Sequence, residues 1–183
     1  MPLIDSANQL ESYSYCQVNF YKQQSPSTCG LACITTILNY WGIAVTQDKL
    51  LMSFPPSSPE GYKIEELMNI AKSEGLEAFV LQLPASKIRL QIQKGRPVIC
   101  GIKKPITDNW LYHFPLEGGL LGKIIRWLSP DSNHFVVAIG FKDDQMLIMD
   151  PSIGLISLSE QKFESMHEKC NNVAILAAKK TNQ

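Results

Sequence analysis

The chain has 183 residues, 45% of them apolar, with 17 Lys+Arg balanced by 17 Asp+Glu. One ordinary domain, spanning 1–183, is the expectation, since a domain of this size buries about 70% of the surface its unfolded chain exposes and needs no disulfide or metal staple. A formal net charge of zero argues against a surface that tracks phosphates, so nucleic acid is not expected as a partner, and the basic pairs Lys103-Lys104 and Lys179-Lys180 read as solvated surface.

The opening residues Met1 to Leu10 have neither a basic start nor an apolar run of the secretory type. Nothing approaches the ~18 consecutive apolar residues of a membrane span. A soluble, cytoplasmic protein is expected, with export by a signal-less route left open. The five cysteines, Cys16, Cys29, Cys33, Cys100 and Cys170, include no CxxC pair and no metal-type Cys/His grouping. They read as free thiols of a reducing compartment, one of them a candidate nucleophile, and no metal or cofactor is expected.

Along the chain, Cys16 to Tyr21 reads as a short strand and Gln23 to Thr28 as a loop dense in turn formers. Leu31, Ile34, Ile37 and Leu38 recur at helical spacing until Gly42, which predicts a helix with Cys29 at its mouth. A second short helix is predicted over Gln47–Met52, ahead of the breaker segment Phe54 to Pro59. A third follows over Ile64–Ala71, where Ile64, Leu67, Met68 and Ala71 share a face. Ala78 to Leu81 reads as a strand, Ser86 to Gln93 as a helix ending at Gly95, and Pro97 to Ile102 as a buried strand. His134 to Phe141 and Met146 to Met149 form a hairpin about Lys142–Gln145. Helices first and paired strands later indicate an α+β fold.

A thiol attacks as thiolate, a form favoured by a helix N-terminus and by a nearby imidazole. Cys29 has the helix, whereas Cys33, one turn on, falls on the apolar side and reads as core. Of the three histidines, His134 opens an apolar strand with Asp150 sixteen residues on. Pairing through the hairpin brings residues 134 and 150 to one end, where a carboxylate orients the imidazole toward a thiol. His113 lies in an irregular aromatic stretch and His167 on a surface helix, neither with a comparable partner. Attack on an amide makes an oxyanion, for which a side-chain amide upstream of the nucleophile is a suitable donor. Gln23 and Gln24 both qualify, and chemistry alone does not separate them.

Gln23 to Cys33, Gly95 to Ile99, His134 to Val137 and Asp150-Pro151 together resemble the bacteriocin-processing, double-glycine leader peptidases. These bacterial papain-like cysteine proteases are usually found as the N-terminal domain of ABC transporters, and the resemblance covers roughly Val18 to Phe163. It implies a papain-like fold with N-terminal helices packed on an antiparallel sheet. It also implies Cys29 as nucleophile, His134 as general base and acid, Asp150 as its orienting carboxylate, and Gln23 as the oxyanion donor, six before the Cys. The implied reaction is hydrolysis of a peptide or protein after Gly-Gly through a thioester, in a cleft too narrow for larger side chains, with a separate transporter as a partner.

The chain departs from that pattern in three ways. Thr28 stands where the family has an acidic residue, no ATPase or membrane-spanning region follows, and the segment 103–133 is enlarged. That segment carries Trp110, Trp127 and an apolar stripe of Leu120, Leu121, Ile124, Ile125 and Leu128. The stripe reads either as a helix packed on the domain or as a lid or docking surface for a partner or membrane. Gly118-Gly119 within it is a candidate self-cleavage site. Two rival functions use the same residues: acyl transfer, deamidation or transglutamination through the same thioester, and a non-catalytic peptide-binding module. Retention of Cys29, His134 and Asp150 argues against the second.

Overall fold

The computed structural model describes residues 10, 12–105 and 131–180. In chain order its elements are β1 (Ser14–Tyr15), a 3-10 turn (Pro26–Thr28), α1 (Cys29–Tyr40), α2 (Gln47–Ser53), α3 (Ile64–Ser73), β2 (Leu76–Gln82), α4 (Ala85–Gln93) and β3 (Val98–Pro105). After the gap come β4 (Asp131–Lys142), β5 (Gln145–Asp150), β6 (Gly154–Ser159), α5 (Glu160–Glu168) and β7 (Val173–Lys179). The strands form one antiparallel sheet in the order β2-β7-β3-β4-β5-β6. Strand β1 lies off this path, against the far end of β4, at Ser14↔Phe141 and Tyr15↔Gly140.

The sheet is covered on both faces, which explains the unbroken apolar runs of its central strands. Along β4, Val137 and Ile139 join a core with Leu31, Ile34 and Ile37 of α1 and Leu67 and Ile70 of α3. Val136 and Ala138, on the opposite face, join a second core with Ile88 and Ile92 of α4 and Phe163 of α5. Helices α1 to α3 thus take one face, as expected, and α4 and α5 take the other.

Helix α1 is buried from Cys29 through Leu38, Thr35 and Thr36 included. Those two hydroxyls donate back to Leu31 O at 2.8 Å and Ala32 O at 3.0 Å, so neither leaves a polar group bare in the core. The helix ends where Gly42, at φ +77°, lets its own N–H reach Asn39 O and Ile43 N–H reach Leu38 O.

Four expectations change. The N-terminal strand is Ser14–Tyr15 rather than Cys16 to Tyr21, because pairing stops once Cys16 N–H has reached Ile139 O at 2.7 Å. Strands β6 and β7 extend the regular structure beyond Asp150 on either side of α5, and β7 lies inside the sheet between β2 and β3. His167 is on a helix but fully buried, its Nδ1 on Gly101 O at 2.7 Å and its Nε2 on Leu83 O at 2.9 Å. The ends of the enlarged segment belong to the sheet, with Lys103 opposite Asn133 and Lys104 opposite Ser132. His113, both tryptophans, the apolar stripe and Gly118-Gly119 lie outside the described residues. Among the described residues no helix is long and apolar enough to cross a membrane.

Candidate active site

Cys29 is the first residue of α1, delivered by a turn that Thr28 organises. The Thr28 hydroxyl accepts the backbone N–H groups of Gln24 at 3.1 Å and Ser25 at 2.9 Å, and donates to Ser25 O at 3.0 Å. A compact hydroxyl can serve all three contacts where a longer acidic side chain would have to extend beyond them. Behind Cys29, a Cβ on Gly30 would lie 2.6 Å from Leu67 Cδ1 and 3.2 Å from Phe135 Cδ2, so any larger residue would force the Leu67 side chain to shift before this first turn could seat on α3 and β4.

The β4–β5 hairpin turns at Asp143-Asp144, with a register shift between Ala138 and Gly140. Pairing of Val137 with Met149 carries His134 and Asp150 to the same end of the sheet. His134 Nε2 lies 2.9 Å from Asp150 Oδ1, with His134 only 6% and Asp150 1% exposed. Ser152 adds its backbone N–H at 2.8 Å and its hydroxyl at 2.6 Å to the same carboxylate oxygen. With Nε2 on the carboxylate, Nδ1 is the ring nitrogen left for the thiol, to which His134 is hydrogen-bonded.

Burial by itself would raise the Cys29 thiol. The hydrogen bond and charge of His134, with the backbone N–H groups of Phe135 and Gly30, outweigh it and hold the thiol below its ordinary value. Burial would likewise lower His134, but hydrogen bonds to Asp150 and Cys29, and the charges of both, raise it to about 9. For Asp150, burial is outweighed by His134, Lys104 and Ser152, which keep the carboxyl well below the usual range. All three shifts favour thiolate, imidazolium and carboxylate in a row. Cys33 behaves in the opposite way: fully buried beside Cys29, it is pushed well up, as a core thiol should be.

The two glutamines part company here. Gln24 Nε2 points out to Asp48 Oδ1 of α2 at 2.7 Å, an exposed contact. Gln23 is tied to the Asp150 end of the sheet, its backbone N–H on Pro151 O at 2.9 Å. One proton of its amide goes to Ser25 O at 3.0 Å, and its buried Oε1 has no protein partner. The second amide proton remains for a ligand.

Lys104 was missed by sequence reasoning. Assigned to the surface, it is instead 2% exposed and its ammonium lies 3.0 Å from Asp150 Oδ2. The available signal was its place two residues past the end of an apolar strand, a parity that turns it to the same face as Ile102, opposite His134. Among the described residues no group of three or more His, Cys, Asp and Glu side chains is placed to hold a metal ion.

The chain matches the Peptidase C39 family over residues 17–114 and 120–182. It matches no curated protein. Among solved structures it is similar to a double glycine motif protease from an AMS/PCAT transporter in complex with the leader peptide. That likeness has 19% identity and a TM-score of 0.64, over 91% of this chain and 94% of the other. A C39-like peptidase from Bacillus anthracis shares 18% identity at a TM-score of 0.63, over 91% and 97% of the two chains. The peptidase domain of Streptococcus ComA, a bi-functional ABC transporter involved in a quorum-sensing pathway, shares 16% identity at 0.62, over 90% and 99%. At such identities the structures establish the shared papain-like α+β fold. With the family match covering most of its length, the chain belongs to the Peptidase C39 family and is a cysteine-type peptidase.

Proposed function

We propose that this peptidase works as a single domain over 1–183 and hydrolyses a peptide or protein after a Gly-Gly pair, with Cys29, His134, Asp150 and Gln23 as its machinery. The observation that carries the reading is the buried row of Cys29, His134 and Asp150, with a 2.9 Å contact from imidazole to carboxylate and a thiol held below its ordinary value. The Cys29 thiolate adds to the scissile carbonyl carbon, and the oxyanion takes hydrogen bonds from the Gln23 amide and the Cys29 backbone N–H. His134 then gives its proton to the leaving amine as the C–N bond breaks, leaving a thioester. Water enters, His134 removes its proton, and collapse of the second oxyanion releases the acid and the thiolate. Asp150 keeps the ring oriented and stabilises the imidazolium throughout.

The Gly-Gly preference rests on membership of the family and on likeness to a double glycine motif protease. That relative is seen with a leader peptide, and another comes from an ABC transporter, which makes a leader-bearing precursor the substrate class and an ABC transporter the fitting partner. The cytoplasm, where such precursors are made, is the corresponding location. A panel of peptides varied at the two residues before the cut tests the reading. Cleavage confined to Gly-Gly members and abolished in Cys29→Ala is expected. Equal cleavage across the panel would remove the Gly-Gly preference, and transfer of the acyl group to an added amine in place of water would make the chain a transferase.

A further inference from the structure

Asp150 presents two oxygens to two different cations. Oδ1 faces His134 Nε2 at 2.9 Å, while Oδ2 faces Lys104 Nζ at 3.0 Å. The ammonium also donates to Ser152 Oγ at 3.1 Å, and that hydroxyl in turn donates to Oδ1 at 2.6 Å. Both charged heads are buried, with side-chain exposures of 3% for Lys104 and 1% for Asp150. The contact follows from the pleat. Ile102 pairs with His134 and Lys104 with Ser132, so Lys104 and His134 project from the same face of neighbouring strands, and continuing the Val137↔Met149 register puts Asp150 on that face too.

Resting on the Cys29 and His134 reading above, we propose that Lys104 is a positioning residue of the peptidase site: its buried ammonium holds Oδ2 so that Oδ1 stays on His134, and it balances part of the carboxylate charge that His134 feels. A desolvated lysine is costly unless it is paired and hydrogen-bonded, and here both conditions are met by the residue that orients the imidazole. With Lys104 in place, thiolate, imidazolium, carboxylate and ammonium sum to zero. Without it, the buried row carries a net negative charge, which makes any further loss of a proton harder.

The titratable groups that meet at this point among the described residues are Cys29 and Cys33 of α1, Cys100 and Lys104 of β3, His134 of β4 and Asp150 of β5. Burial keeps Cys33 and Cys100 as neutral thiols, so the balance lies among the other four.

The rate of iodoacetamide alkylation at Cys29, followed by peptide mass spectrometry from pH 4 to 10, reads this balance without a substrate. Wild type should show one transition where the thiol ionises and a second where His134 loses its proton. In Lys104→Met, which keeps the length of the side chain without its charge, both transitions should move up by roughly 0.5–1.5 pH units. Lys104→Gln should move them in the same sense and serves if the Met variant does not fold. Lys104→Arg should leave them near their wild-type positions. Neutral variants whose transitions coincide with wild type, whatever their loss of stability, overturn the proposal while leaving the Cys29 and His134 reading in place. A wild-type thiol that ionises only in the ordinary range near 8.5 overturns that reading itself.

Discussion

Gln23 donates its backbone N–H to Pro151 O at 2.9 Å, so the loop that leads into Cys29 is fastened to the turn that follows Asp150. Residues far apart in sequence are thereby held to one geometry by main-chain atoms, and the proposed role of the Gln23 side chain as an oxyanion donor can be tested apart from that tether. Gln23→Ala should lower kcat by about 10²–10³, the usual loss of one oxyanion donor. Alkylation of Cys29 forms no oxyanion, so its rate should stay close to wild type. Gln24→Ala, which gives up only an exposed contact to Asp48, should leave turnover within about twofold. Equal losses in both variants, or a parallel loss of alkylation in Gln23→Ala, would assign Gln23 to the loop instead.

Asp150→Asn tests how the imidazole is held. The amide has neutral charge and can offer His134 Nε2 an oxygen or an N–H, so the ring loses both its counter-charge and its fixed orientation. Turnover should fall by about 10²–10⁴. His134, raised to about 9 in the native site, should drop toward its ordinary 6.5, drawing the alkaline transition of the alkylation profile down with it. This is the opposite direction from the neutral Lys104 variants. Imidazole NMR across pH 5–10 separates the two, and a wild-type His134 that titrates near 6.5 would remove the electrostatic argument altogether.

The candidate row that the fold brings together was legible in the sequence because each member announced itself by position: Cys29 before an apolar helix, His134 at the start of an apolar strand, Asp150 at the end of its hairpin partner. Lys104 was not, since a lysine beside another lysine reads as surface, and its parity with Ile102 carries meaning only once β3 is known to run on to Pro105 opposite β4. Thr28 read as a departure from a family pattern, and its use as a hub for the Gln24 and Ser25 amides depends on a 3-10 turn that the Ser-Pro-Ser-Thr composition does not specify. The sheet order was hidden for a related reason. Strand β7 comes last in the chain yet lies between β2 and β3, a long-range pairing that local pattern cannot encode.

The stability of the folded chain should depend on pH in a way that exposes the ion pair. His134 is raised from 6.5 to about 9, so its contribution is complete below about pH 6.5 and disappears as pH rises through 9. Cys29 is lowered from 9.0, so its contribution is complete above about 9 and is lost as pH falls through the depressed native value. Between the depressed Cys29 value and about 9 one site binds a proton on folding while the other releases one, and the two slopes oppose each other. Wild type should therefore lose urea stability only gradually as pH rises toward 9. Cys29→Ala, which keeps the Asp150 contact to His134 and removes the opposing thiol, should lose stability more steeply as pH rises over that range. Parallel profiles for the two proteins would show that the pair is not formed.

His167 provides the structural counterpart to His134. Fully buried on α5, it sends one ring nitrogen to Gly101 O of β3 at 2.7 Å and the other to Leu83 O, just after β2, at 2.9 Å, with its ring stacked 5.3 Å from Phe163. The ring N–H satisfies a buried carbonyl, and the contacts on both sides of the ring pin α5 across the β2 and β3 ends of the sheet. His167→Phe keeps the stacking and removes the N–H donor, at a cost of about 1–3 kcal/mol in urea unfolding. His167→Gln, which can still donate to one of the carbonyls, should lose roughly half as much. Because both ring nitrogens of His167 face Gly101 O and Leu83 O rather than the Cys29, His134 and Asp150 row, the folded fraction of either variant should alkylate at Cys29 with the wild-type pH profile. A displaced profile would mean that the helix and the active site are coupled through β3, the strand that carries both Gly101 and Lys104.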